Sequence, residues 1–154
     1  MPELICDRYT VDTALLAAIE EDTSTDYATS AQRLQREFGL PDPPKTSEMS
    51  FLRSIAEVIS RRAAAYMATA VHALWSLEPG NELGPSSRTS IAANGSVILM
   101  YPGFRSRCQK YIADMIEAEQ RAGKRQHSHE VTIVTTNEAT IMGVAVAVAI
   151  ADKT

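Results

Sequence analysis

Between Val131 and Ala151 a β-branched run, VTIVT, stops at the polar turn Thr136-Asn137-Glu138, and an apolar small-residue stretch, ATIMGVAVAVAIA, follows. A strand that feeds a helix through a short polar loop aims backbone N–H groups at one point in space, which is a common way to hold a phosphate. Such loops usually carry several glycines, because the backbone must come close to the ligand. Here only Gly143 is present. The plain alternative is a strand-to-helix junction in which Thr140 caps, Gly143 packs tightly, and Asn137 or Glu138 serves as the cap or first-turn acid.

Other groups with chemical potential are weaker. His127-x-His129 has a loose metal-ligand spacing, but its flank is Lys-Arg-Gln and no cysteine or acidic cluster accompanies it, so an exposed loop is expected. Glu20-Glu21-Asp22 offers paired carboxylates, yet it ends a short helix beside cap-forming residues and is expected to be a solvated acidic face. Arg61-Arg62 could meet a phosphate, but fits better on the solvated side of a long helix or paired with carboxylates. Tyr66, Met67 and Trp75 are expected as core or inter-helix contacts. Cys6 and Cys108 have no motif spacing and read as buried or incidental thiols of a reducing compartment.

The elements that must position these residues follow from periodicity and punctuation. Asp12–Glu21 predicts a short helix with Leu15, Leu16 and Ile19 on one face. The cap-rich run Asp22–Asp26 introduces a second helix carrying Ala31, Leu34 and Phe38, stopped by Gly39. Pro43 and Pro44 make 41–47 a loop. Ser47 or Ser50 opens the longest helix, which runs to about Leu77, with Phe51, Leu52, Ile55, Val58 and Ile59 as its first apolar face. Its second half, AAAYMATAVHALW, is small on nearly every side and predicts close packing. A polar loop, Glu78–Thr89, follows. Asn94-Gly95 between two short apolar runs predicts a β-hairpin across Ser90–Ile98. Phe104, Cys108, Tyr111, Ile112, Met115 and Ile116 mark an amphipathic helix that Gly123 stops. The loop KRQHSHE leads to the Val131 strand and a final helix. This gives one domain over 1–154, with a helical lead-in to residue 40, a long helix over 47–77, and hairpin, helix, strand and helix over 90–154. The pattern is α/β with few strands, and so few strands imply a sheet completed by something outside this chain.

Composition sets the outer limits. At 154 residues and 45% hydrophobic, the chain can bury a core of its own. A formal net charge of −4 and a pI near 5.4 provide no basic footprint for nucleic acid or an anionic membrane. The apolar runs Ala14–Ile19 and Gly143–Ala151 are too short to span a bilayer, and the first lacks a basic flank. A cytoplasmic location is the resulting expectation.

Three blocks together resemble the C-terminal part of the eukaryotic hexokinases, the fungal kind most of all. IAEVISRRAAAYMATAVHAL (Ile55–Leu74) is similar to the family helix in which a Ser/Ala-Arg-Ala-Ala core precedes small residues. IAANGSVILMYPGF (Ile91–Phe104) is similar to Ile-Ala-x-Asp-Gly-Ser-Val followed by Tyr/His-Pro-x-Phe, with Asn94 in place of the aspartate. VTIVTTNEATIMGVAVAVAIA (Val131–Ala151) aligns without a gap on the family's strand, acidic-Gly-Ser-Gly-x-Gly loop and Ala-rich final helix. LLAAIEEDTS and a Leu-x-x-x-Phe-Gly-Leu helix fit upstream, so the likeness covers the chain from about Asp12.

The resemblance implies the C-terminal portion of the large lobe of an actin-like, two-lobed ATP:hexose 6-phosphotransferase. It places the adenosine loop at Ala139, Thr140 and Gly143, which stand at the family's first glycine, serine and last glycine. Ile141 stands at the second glycine. A β-branched residue adopts positive φ only at a cost and adds bulk near the nucleotide. A conflict of about 2–3 kcal/mol would weaken binding roughly 30–150-fold. The family's Asp-Leu-Gly-Gly-Thr-Asn phosphate loop, its sugar-contacting residues and its catalytic aspartate have no counterpart in these 154 residues. Phosphoryl transfer rests on positioning and on charge neutralisation around Mg²⁺. The expectation is therefore a truncated, divergent chain that is inactive alone. Its ATP contact is weak or lost. Mg²⁺ and hexose enter only through a complementing upstream part, and a protein partner covers the truncated face. The competing expectation is a non-catalytic regulatory protein that binds hexokinase-like or other partners.

Overall fold

The computed structural model describes residues 11–77, 87–123 and 129–135. It forms two compact units, Met1–Arg62 and Ala63–Thr154. Cys6, His127, most of the predicted 78–89 loop and the C-terminal loop and helix, including Ala139, Thr140, Ile141 and Gly143, lie outside the described residues.

In the first unit, α1 (Thr13–Glu21) begins where Asp12 accepts a hydrogen bond from Leu15 N at 2.7 Å, and α2 (Ala28–Phe38) ends at Gly39. Gly39 has φ +60° and its N–H closes on Gln35 O, a left-handed cap that glycine reaches without a Cβ penalty. The start of α2 is less ordinary. Tyr27, not one of the expected cap formers, holds φ +54°, and its ring lies under the Arg53 guanidinium at 5.9 Å. Leu15, Ile19, Ala31, Leu34 and Met49 form the core, with Tyr27, Phe38 and Leu52 packed around it.

The acidic triplet departs from its expected role as a solvated face. Asp22 accepts hydrogen bonds from Ser24 and Ser30, both backbone and hydroxyl, including Ser30 Oγ at 2.7 Å. Its backbone carbonyl takes Arg53 Nη1 at 2.9 Å. Glu20 is buried and accepts from Ser60 Oγ at 2.9 Å. Only Glu21 remains a solvated acid. A helix end crowded with hydroxyls offers carboxylates better partners than water does.

The long helix α3 (Thr46–Leu77) has its expected length but another buried face. Met49, Ala56 and Ser60 are buried, whereas Phe51, Ile55, Val58 and Ile59 are exposed. Ala64 and Ala68 are fully buried further along, in agreement with the close packing expected of small residues. Trp75 is buried as anticipated, and its ring lies 5.7 Å from His72. Tyr66 is a correction, being 69% exposed. Arg61 pairs with Glu57 at 3.4 Å, and Arg62 is exposed, as expected of a solvated face.

The second unit continues with β1 (Ser87–Ala93), α4 (Ser96–Met100), α5 (Phe104–Arg121) and β2 (His129–Thr135). The hairpin at Asn94-Gly95 does not form. A type I′ turn needs positive φ at both central residues, and Asn94 has none. Gly95 instead adopts φ +128°, ψ +151°, a region open only to glycine, and turns the chain into α4. The strand's partner is distant: β1 pairs in parallel with β2, from Ser87↔His129 to Ala93↔Thr135. Parallel strands need a crossover, which α4 and α5 supply. Phe104, Cys108, Ile112 and Ile116 are buried along α5, and Val131 and Ile133 are buried on β2. The Cys108 thiol points at Ala64 O (3.7 Å), and burial pushes its pKa up, so it is an inert core thiol.

Candidate functional site

In parallel α/β sheets, ligands gather beyond the carboxyl ends of the strands. Both strands end here at the same level, at Ala93 and Thr135. From Ala93 the chain leaves through Asn94-Gly95, where Asn94 Oδ1 accepts from Gly95 N at 2.8 Å. From Thr135 it continues into the segment that holds Thr136 to Gly143.

Two side chains of α5 fix the end of β2. Arg105, in the first turn, donates through Nη2 to Ile133 O at 2.8 Å and through Nη1 to Thr135 Oγ1 at 3.4 Å. Gln109, one turn later, accepts from Ile133 N at 2.8 Å through Oε1 and donates to Val131 O through Nε2 at 2.5 Å. Gln109 thus occupies the edge of β2 much as a neighbouring strand would, and Arg105 brings a cation to the last described residue of the strand. Residues four apart on a helix share a face, so one side of α5 spans successive outward groups of the strand.

The arrangement can anchor a loop rigidly and hold positive charge beside it. Of the sequence-predicted site residues, Ala139, Thr140 and Gly143 lie outside the described residues, and Thr135 is the nearest described position before them. The paired histidines are not brought together by any described geometry. Glu20 and Asp22 are occupied with serine hydroxyls, which accounts for both carboxylates structurally. The Asp22 carboxyl is held at a pKa of about 2 because the hydroxyls and N–H groups of Ser24 and Ser30 stabilise its anion.

Sequence reasoning missed Arg105 and Gln109. A signal existed: both stand one residue after a buried position of the apolar stripe, Phe104 and Cys108, as polar residues at i and i+4. Their role needed the position of β2, more than twenty residues away.

Among the described residues no helix is long and apolar enough to cross a membrane. The hexokinase family profile matches residues 2–150. Hexokinase-1 of Saccharomyces cerevisiae is 30% identical over 147 residues, which is 94% of this chain and 27% of that protein. Hexokinase-2 of the same yeast is 28% identical over 145 residues, again 94% of this chain and 28% of that protein. The chain spans little more than a quarter of the length of these curated relatives, and the match falls on their C-terminal part. With the profile running nearly end to end, this helix-rich α/β chain belongs to the hexokinase family.

Proposed function

We propose that this chain supplies the C-terminal portion of the large lobe of an ATP:hexose 6-phosphotransferase and performs no phosphoryl transfer by itself. The observation that supports it most is the family match over residues 2–150 against relatives of whose length the chain spans little more than a quarter. In this reading the strand-end platform positions a nucleotide loop. Arg105 and Gln109 hold β2 fixed, and the following residues Ala139, Thr140 and Gly143 contact adenosine. Thr140 contributes a hydroxyl, and Arg105 adds favourable charge near the loop. Ile141 opposes binding for the steric and backbone reasons given above, so the contact with ATP is weak. The polar, cationic strand end suits an adenine nucleotide. Mg²⁺ and the hexose belong to the remainder of a family polypeptide, because phosphoryl transfer needs a base, a metal region and a sugar pocket together. A cytoplasmic location is part of the same reading.

Calorimetry with ATP tests it. Ile141→Gly combined with Ala139→Gly is expected to tighten binding by about thirtyfold, the lower end of the conflict assigned to Ile141. Unchanged affinity would show that the loop's sequence is not limiting. Hexose phosphate made by the purified chain alone would refute the need for a complementing part.

A second reading is a non-catalytic interaction protein. It is favoured by Ile141 in the loop together with the exposed apolar side of α3, which serves binding and no chemistry.

A further inference from the structure

In the second unit, the C-terminal part of α3 meets the last turns of α5 through an ionisable pair. His72 Nε2 lies 3.5 Å from Glu119 Oε2, and the two side chains are only 13% and 26% exposed. The Nε2 atom is itself buried, and among the described residues it makes no hydrogen bond. A buried nitrogen at ion-pair distance from a carboxylate, yet outside hydrogen-bond geometry, is costly unless a proton completes the contact. A neutral imidazole carries one N–H and can turn its bare nitrogen to the carboxylate, whereas imidazolium donates from both nitrogens. The buried Trp75 ring stands 5.7 Å from the imidazole, and an indole at that distance attracts a cation. One turn from His72 on α3 are Ala68, Thr69 and Ser76, and one turn from Glu119 on α5 are Met115, Ile116 and Ala122, all uncharged. Elsewhere on α5, Lys110 pairs with Asp114 and Arg121 with Glu117. Among the described residues, Glu119 is therefore the charge that α5 turns toward His72.

We propose that His72 and Glu119 form a proton-operated clamp between α3 and α5. Imidazole is the side chain that ordinarily changes charge between about pH 5 and 8. With His72 neutral, the pair contributes little. When the ring takes up a proton, its Nε2–H and the Glu119 carboxylate form a charge-assisted hydrogen bond where water screens it weakly. Glutamates ordinarily titrate near pH 4.3, so the carboxylate keeps its charge while the imidazole gains one. The contribution of the pair is therefore present below the imidazole range and absent above it. Glu119 also offsets the cost of placing a cation in a largely buried position, which makes the protonated ring compatible with the packed unit. The first turns of α5 carry Arg105 and Gln109, so the clamp holds the far end of the helix that braces β2.

The test measures Tm of the full 154-residue chain and its variants at pH 8 and at pH 5.5. Glu119→Gln should lower Tm at pH 5.5 by roughly 2–4 °C more than at pH 8, the size of one well-placed ion pair in a chain of this length. Any other contact of Glu119 is lost at both pH values and cancels in that difference. In a His72→Gln background, Glu119→Gln should cost the same at both. Trp75 is the chain's one tryptophan, so its fluorescence reports the ring beside it. The wild-type emission should change across the imidazole range, and His72→Gln should abolish the change. If His72→Gln does not fold, ring NMR of His72 in the wild type and in Glu119→Gln serves instead. The ring should then be protonated at a lower pH in Glu119→Gln than in the wild type. An equal cost of Glu119→Gln at the two pH values, a pH-dependent cost that survives in His72→Gln, or a ring titration indifferent to Glu119→Gln would each overturn the clamp.

Discussion

The two units stabilise their junctions in different ways. In the helical unit, side chains close the gaps between helices: Asp22 gathers Ser24 and Ser30, Arg53 reaches the Asp22 carbonyl, and Ser60 meets buried Glu20. In the strand unit, side chains of a helix close the edge of a strand, with Gln109 and Arg105 taking the outward backbone groups of Val131 and Ile133. The first arrangement ties down helix ends, whose terminal backbone groups lack helical partners. The second covers a strand edge, which otherwise presents unpaired donors and acceptors. A carboxylate can serve the first task because N–H and hydroxyl donors surround it. The second uses the Gln109 amide, which both donates and accepts as a strand edge requires, beside the Arg105 guanidinium, which only donates.

The largest effect that would test this contrast lies beneath the brace. Ile112 is fully buried on α5, and Ile112→Ala should cost about 3 kcal/mol by cavity formation, whereas Phe51→Ala on exposed α3 surface should change stability by less than about 0.5 kcal/mol. Chemical denaturation of both variants measures the difference. Equal costs would mean that the exposed face of α3 is packed in solution.

Removing the edge brace should have an intermediate effect. Gln109→Ala leaves Val131 O and Ile133 N without their side-chain partner and should cost about 1–3 kcal/mol. Gln109→Glu keeps an acceptor for Ile133 N and loses the donor to Val131 O, so it should recover part of the stability. Hydrogen exchange at the Ile133 amide separates a local loosening of β2 from a global loss. Protection that stays at the wild-type level in Gln109→Ala would remove the brace from the account.

The smallest effect concerns the carboxylate lock. The folded-state pKa of Asp22 is lowered from 3.8 to about 2, so the folded state favours the anion. The unfolded chain binds the proton first as pH falls. The stabilisation is therefore complete above about pH 4 and is lost as pH falls toward 2. After allowance for solvent screening it amounts to roughly 1 kcal/mol. Asp22→Asn should lower Tm at pH 7 and flatten its dependence on pH between about 4 and 2. An unchanged slope would show that other carboxylates govern acid unfolding.

Much of the chain's local structure was legible in its residues. The helices α1, α2, α3 and α5 repeat their apolar positions at helical spacing, Gly39 stops α2, and the β-branched Val131 run is a strand. The platform next to the candidate loop was not legible. Arg105 and Gln109 look like ordinary polar positions until β2 lies beside them, and Asn94-Gly95 has the composition of a hairpin turn that the pairing of β1 with β2 overrides.

Periodicity, helix stops and family membership are readable from the residues alone, because each is written in short windows or in ordered blocks of residue types. Which face of α3 is buried depends on packing against residues distant in the chain. Met49 and Ala56 compete with Phe51 and Ile55 for that place, and hydrophobicity alone favours the larger residues. Close approach of neighbouring helices favours small side chains at the contact, so Ala56, Ala64 and Ala68 are buried while Phe51, Ile55, Val58 and Ile59 face outward. The same holds for β1, which runs parallel to a strand some forty residues away, since a ladder of backbone hydrogen bonds to a distant partner outweighs the preference of one dipeptide for a turn.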